Sequence, residues 1–288
     1  MRRPVAVMWL IVSLSTVDAW GADRAKFVIK RNVEYARVGE ARLLLDAYVP
    51  KRKTPMPGVL VVHGGAWRFA DKTELAFYAR ELAERGFVAF AIDYRLAPTH
   101  KFPAQIDDCR SAVRWIRTNA KKYRVDPQRI GGIGYSAGGQ LVALLGTTGK
   151  AGDAKAGKID TRLQAVVAGG TPCDFRGVPA NAALLSYWLG GTRAQMPQKY
   201  RDASPIAFVS KSSPPMFFYH GSNDALVPRS SPQEMVKALK EQKVAAELLV
   251  LPRMRHMNAP LSRQARLRSW TFFEKHLKKP SGKRGARR

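Results

Sequence analysis

From about residue 27 onward, apolar and polar positions fall into short apolar runs separated by longer amphipathic stretches. Residues 27–35 and 43–49 alternate or run apolar like two strands, with a turn at Gly39 between them. Residues 59–62 read as a short buried strand ending at His63, and 73–85 have helical spacing that stops at Gly86. A second apolar strand, 87–92, ends at Asp93. A long helical pattern over 104–122 follows, and Asp126-Pro127 is read as the break before the next strand. That strand runs into Gly132-Ile133-Gly134 and is followed at once by a helix-like apolar stretch, Leu141-Val142-Ala143-Leu144-Leu145. Further buried strands are predicted at 163–168, 215–219 and 247–251, with helices at 232–242 and 261–277 flanking the last.

Beyond residue 59 strand and helix alternate. This predicts an α/β fold with a mostly parallel central sheet of about eight strands, helices on both faces and an antiparallel opening pair. Residues 174–213 break the alternation. They are rich in Pro, Gly, Ser and Arg with one apolar turn at 182–189, so they are expected to form a short lid. No internal repeat or linker divides the chain, and one domain is read over residues 22–278. Residues 1–21 carry Arg2 and Arg3 ahead of an apolar stretch too short to span a bilayer. They fit a secretory signal and predict export to the periplasm or medium.

The chain has 49 basic and 22 acidic residues, a formal net charge of +27. The basic residues are scattered, apart from a tail at 279–288 that is expected to be disordered. This reads as a solvated cationic surface with nonspecific attraction to anionic polymers rather than a dedicated nucleic-acid site. The two cysteines, Cys109 and Cys173, lie far apart in sequence and are read as buried, unpaired thiols. No Cys/His spacing suggests a metal site.

Within this frame Gly134-Tyr135-Ser136-Ala137-Gly138 stands at a strand–turn–helix junction. A sharp turn there pushes the Ser136 hydroxyl out of the sheet, and the flanking glycines avoid collision as the chain reverses. A serine nucleophile needs a base, itself oriented by an acid. His256 follows the last strand in a loop before the final helix, where an imidazole can reach over the sheet edge. Asp224 is the carboxylate in the loop after strand 215–219. Oxyanion donors are expected at Ala137 and in the turn His63-Gly64-Gly65-Ala66-Trp67. There Gly65 and Ala66 supply amides, while His63 and Gly64 shape the turn. Trp67, Tyr135 and Trp188 are candidate walls of a substrate cleft, with core packing the competing role for Trp188.

Five segments occur in a fixed order: His63-Gly64-Gly65-Ala66-Trp67, Asp93-Tyr94-Arg95-Leu96-Ala97-Pro98, Phe102-Pro103-Ala104-Gln105, Gly134-Tyr135-Ser136-Ala137-Gly138-Gly139, and Asp224 with Val227-Pro228. With them the chain resembles the esterase/lipase branch of the α/β-hydrolases, from hormone-sensitive-lipase-like enzymes to bacterial acetyl- and feruloyl-esterase-like proteins. The resemblance covers about residues 27–277. It implies hydrolysis of carboxylic esters without metal or organic cofactor, for which Ser136, His256 and Asp224 are the candidate residues. Short-chain or acetyl/aryl esters are the expected substrates, small or, given the net charge of +27, polysaccharide-linked. Three departures stand out. Ala66 replaces the third glycine usual in the oxyanion turn, an N-terminal helical cap is missing, and Pro252-Arg253-Met254-Arg255 lacks the glycine often found before the base. Amide or peptide hydrolysis, including formamidase chemistry, is the alternative among enzymes. A catalytically silent binding protein on the same scaffold is the alternative outside them.

Overall fold

The structure, a computed structural model, describes residues 26–152 and 159–278. The expected signal (1–21) and basic tail (279–288) lie outside the described residues. Two-residue alternation builds the sheet and assigns its faces. On β3 (Met56–Val62), Leu60 and Val62 enter one core layer while Val59 and Val61 enter the other. On β7 (Met216–Gly221), Met216 and Phe218 oppose Phe217 and Tyr219 in the same way.

The remaining strands are β1 (Phe27–Val38), β2 (Ala41–Pro50), β4 (Val88–Ile92), β5 (Val125–Tyr135), β6 (Ala165–Gly169) and β8 (Ala246–Leu251). Their order in the sheet is β1-β2-β4-β3-β5-β6-β7-β8. The β1–β2 and β2–β4 pairs are antiparallel, and the other pairs are parallel. Helices α2 (Ala104–Thr118), α4 (Ala137–Thr148) and α7 (Ser230–Glu241) cover one face. Helices α1 (Ala76–Glu84) and α8 (Arg263–Leu277) cover the other. The parallel strands therefore all point their carboxyl ends to one edge, where loops gather. Among the described residues, no helix is long and apolar enough to cross a membrane.

Two expected boundaries shift for local reasons. The helix pattern over 104–122 divides at Asn119, whose side-chain amide turns back to the Trp115 carbonyl at 2.9 Å. A short α3 (Ala120–Tyr123) then ends at Arg124 with φ 56°. Asp126-Pro127 does not precede its strand but lies inside β5. The ladder to β3 shifts register between Met56 and Gly58 there, so the proline owes no ladder hydrogen bond.

Residues 174–213 fold as α5 (Ser186–Leu189), α6 (Pro197–Asp202) and a 3₁₀ turn at Pro205–Phe208. The segment is tied down rather than loosely draped. Trp188, Leu189, Tyr200 and Ala203 are fully buried. Two buried glutamines fasten it, each satisfying a tryptophan N–H. Gln105 accepts from Trp188 Nε1 (3.1 Å) and donates to the carbonyls of Arg95 (3.0 Å) and His100 (2.6 Å). Gln140 accepts from Trp67 Nε1 (3.0 Å) and donates to Ala203 O (2.6 Å). The Asp93–Pro98 and Phe102–Gln105 motifs thus have a packing role. Arg95 forks onto Asp108 at 2.7–3.0 Å, and Gln105 stitches that corner to α5.

Candidate active site

Ser136 closes β5 and opens α4 with φ 53° and ψ −118°, a conformation that costs a non-glycine residue of order 1–3 kcal/mol. Its amide donates to Gly169 O (2.8 Å), which locks the strained turn against β6. The flanking glycines are required by close backbone approach. A Cβ on Gly138 would stand 2.1 Å from Val62 O, and one on Gly134 would stand 2.3 Å from Gly138 O. The helix that starts here leaves the Ala137 amide without an intrahelical acceptor.

The turn after β3 lies beside this junction, because β3 and β5 are paired neighbours. Gly65 (φ +85°), Ala66 (φ 51°) and Trp67 (φ 57°) all adopt positive φ. At Gly65 glycine is obligatory, since a Cβ would meet Phe69 O at 2.3 Å. Ala66 therefore holds the conformation of the glycine it replaces, and the turn is retained at the expense of local strain. Among the described residues the Gly65 and Ala66 amides have no acceptor. The Gly64 amide is occupied, donating to Glu74 Oε2 at 2.6 Å. Glu74 thereby ties this turn to the residues just ahead of α1. An acid just ahead of a helix is too ordinary a pattern to mark it in the sequence.

His63 supports the same turn from beneath. Its ring stacks on Tyr94 (4.1 Å between centroids, 7° between planes), and its Nδ1 bonds Gly64 O at 3.0 Å. The Tyr94 hydroxyl donates to the same carbonyl at 2.9 Å. Burial holds the His63 pKa down to about 4, so the ring is neutral and Nδ1–H is the donor. The unfolded chain takes up this proton near pH 6.5, and the folded protein only near pH 4. Stability is therefore complete above about pH 6.5 and falls as pH drops toward 4. The loss from this one group is roughly 3 kcal/mol. Urea unfolding at pH 7.5 and pH 4.5 should show the wild type losing more stability than His63→Gln. Equal losses would remove His63 from the account.

At the other side of the edge, Asp224 Oδ2 sits 2.7 Å from His256 Nδ1. The carboxylate is fully buried, and its Oδ1 accepts the amides of Leu226 and Val227, both at 2.9 Å. These amides fix the orientation of the carboxylate. The His256 loop is fixed by three further contacts. Tyr135 OH donates to His256 O at 2.6 Å, Asn223 N donates to Met254 O at 2.9 Å, and Arg253 N donates to Ser222 Oγ at 2.8 Å. Gly221 permits the crossing, as a Cβ there would lie 2.3 Å from Met254 O. Arg253 takes φ 59°, supplying the left-handed residue where a glycine was expected. His220 stays structural, with Nε2 3.1 Å from Val227 O and 3.6 Å from Asp224 Oδ2; burial lowers its pKa.

Ser136, Asp224, His256 and the Gly65–Ala66 turn thus meet at the carboxyl edge of the sheet. Among the described residues, no hydrogen bond joins the Ser136 hydroxyl to the imidazole, whose Nδ1 is held by Asp224. Three expected cleft residues stand elsewhere. Trp67 and Trp188 are buried (4% and 0% exposed) and stack face to face at 3.6 Å, because their indole N–H groups are claimed by Gln140 and Gln105. Tyr135, 4% exposed, is a prop under the His256 loop rather than a cleft wall. Cys109 and Cys173 are buried free thiols, both pushed upward in pKa by burial.

The family model BD-FAE matches residues 45–239, a span that includes the Gly65–Ala66 turn, Ser136 and Asp224. Esterase LipC of Mycobacterium tuberculosis is 33% identical over 248 residues, covering 82% of this chain and 61% of LipC. The chain spans 61%, 45% and 47% of the length of LipC and of two further Mycobacterium tuberculosis relatives, LipM and LipQ. A carbohydrate esterase from gut microbiota, in truncated form, superposes with a TM-score of 0.79 at 25% identity, covering 89% of this chain and 99% of that one. An acetyl ester-xyloside bifunctional hydrolase from Caldicellulosiruptor lactoaceticus gives 0.75 at 26%, covering 85% and 95%. The sheet order, the strained serine at its carboxyl edge and these likenesses agree: the chain belongs to the BD-FAE family, within the esterase branch of the α/β-hydrolases.

Proposed function

We propose that the protein is an exported serine hydrolase of carboxylic esters. The observation that carries the reading is the 2.7 Å Asp224–His256 bond at the sheet edge where Ser136 is held in a strained turn. His256 Nε2 accepts the Ser136 proton as Oγ attacks the ester carbonyl carbon, and Asp224 stabilises the imidazolium through Nδ1–H. The oxyanion is received by the amides of Ala137, Gly65 and Ala66. His256 then protonates the departing alkoxide, leaving an acyl-serine. Water loses a proton to His256 as it adds to this acyl group, and collapse returns the proton to Ser136 Oγ and releases the acid.

Residues 174–213 serve as a short lid over this site, an assignment supported by Tyr187 of α5, whose hydroxyl donates to Ala66 O at 2.8 Å. Short or acetyl acyl groups are the favoured substrates, supported by the carbohydrate and acetyl esterases among the structural relatives. Export rests on the charged and apolar pattern of residues 1–21. A fluorophosphonate probe should label the folded protein at Ser136, and p-nitrophenyl acetate should be turned over at least tenfold better than the decanoate. A folded sample that resists labelling defeats the enzymatic reading. A maximum at long chains defeats the short-acyl assignment.

A further inference from the structure

Four exposed apolar side chains sit on loops next to the site in sequence or in the 174–213 segment. Phe69 (60% exposed) follows the Gly65–Ala66 turn, Leu184 (76%) precedes α5, Leu226 (70%) follows Asp224 and Met257 (76%) follows His256. The acids nearby are committed: Asp224 to His256, and Glu74 to the Gly64 amide. Arg68 is exposed, belongs to the oxyanion turn itself, and has its amide pinned to Gly65 O at 2.9 Å. Its guanidinium lies over the Phe69 ring (5.3 Å) and the Tyr187 ring (5.7 Å), and Tyr187 in turn bonds Ala66. Among the described residues Arg68 has no ion-pair partner, and neither has Arg255 beside His256. A planar cation flanked by two aromatic rings keeps a fixed orientation without an acid, and its fork matches a carboxylate.

We propose that Arg68 is a specificity-determining residue that selects esters carrying a carboxylate close to the scissile bond. This rests on the esterase reading above and names its substrate class. Such a carboxylate belongs either to the acyl group, as in a dicarboxylic half-ester, or to the alcohol, as in an acylated acidic sugar. One recognition chemistry serves both.

Two matched substrate pairs separate these sources. Mono-4-nitrophenyl succinate differs from 4-nitrophenyl butyrate by a carboxylate in place of a methyl on the acyl side. 4-Acetoxybenzoate differs from 4-acetoxybenzamide on the leaving-group side. For each pair the measured quantity is the ratio of kcat/KM, anionic over neutral, in wild type, Arg68→Gln and Arg68→Lys. Arg68→Gln should lower the ratio about tenfold in at least one pair, the size expected for losing a hydrogen bond to a charged group. That pair identifies the side bearing the carboxylate. Arg68→Lys should restore only part, because the ammonium keeps the charge but loses the fork and the ring stacking. Ratios unmoved in both pairs would overturn the proposal and assign any anion preference to the overall charge of +27. Failure of Ser136 to label with fluorophosphonate would instead remove the esterase reading beneath it.

Discussion

Ser136→Ala should lower kcat on p-nitrophenyl acetate by about 10⁴- to 10⁶-fold while leaving the fold intact. In the proposed mechanism the loss is large because the three residues act as a unit: without Oγ, the His256 imidazole and the Asp224 carboxylate have no proton to move. The residual rate over water comes from the oxyanion donors, which the substitution does not touch. Position 136 keeps its φ of 53°, because the Ser136 amide still donates to Gly169 O and the flanking glycines are unchanged. Thermal unfolding should therefore match the wild type within a few degrees, separating loss of chemistry from loss of structure. Turnover within tenfold of wild type, in a preparation free of contaminating esterase, would mean that another group is the nucleophile.

Much of this arrangement was legible in the sequence because it depends on local rules. Period-two apolar runs locate the strands, and the glycines around Ser136 report a turn in which no Cβ fits. The chain order Ser136, Asp224, His256 follows from where loops leave a parallel sheet. What was not legible depends on distant partners. Glu74 reaches back to Gly64, and nothing in its surroundings signals that contact. Gln105 and Gln140 carry no sequence signal for the two tryptophans from elsewhere that donate to them. For the same reason Trp67 read as a cleft wall, and Trp188 left both core packing and a cleft role open: aromatic residues near a site look alike whether they face solvent or each other. Two of the three departures from the family pattern became intelligible only from backbone angles. Ala66 and Arg253 occupy positive φ, so the missing glycines changed the residue and not the turn.

Gly138→Ala should be as damaging to the fold as Ser136→Ala is to the chemistry. The added methyl would stand 2.1 Å from Val62 O and 2.3 Å from His63 O, backbone atoms that have no rotamer to change. Relief requires α4 to move away from the end of β3, against a core in which Leu141, Val142 and Leu145 are fully buried. The cost is about 3 kcal/mol or more, the upper range for overpacking, and corresponds to a fall of ~6–12 °C in Tm for a domain of this size. Function should suffer beyond stability. The same displacement separates the Ala137 amide from the Gly65–Ala66 turn, and a shift near 1 Å in such a constellation lowers kcat on the order of 100-fold. Gly177→Ala is the control, since a Cβ there meets nothing within 4 Å. It should leave Tm and kcat close to wild type. Equal behaviour of the two variants would show that the close approach of β3 to the serine turn does not hold the site together.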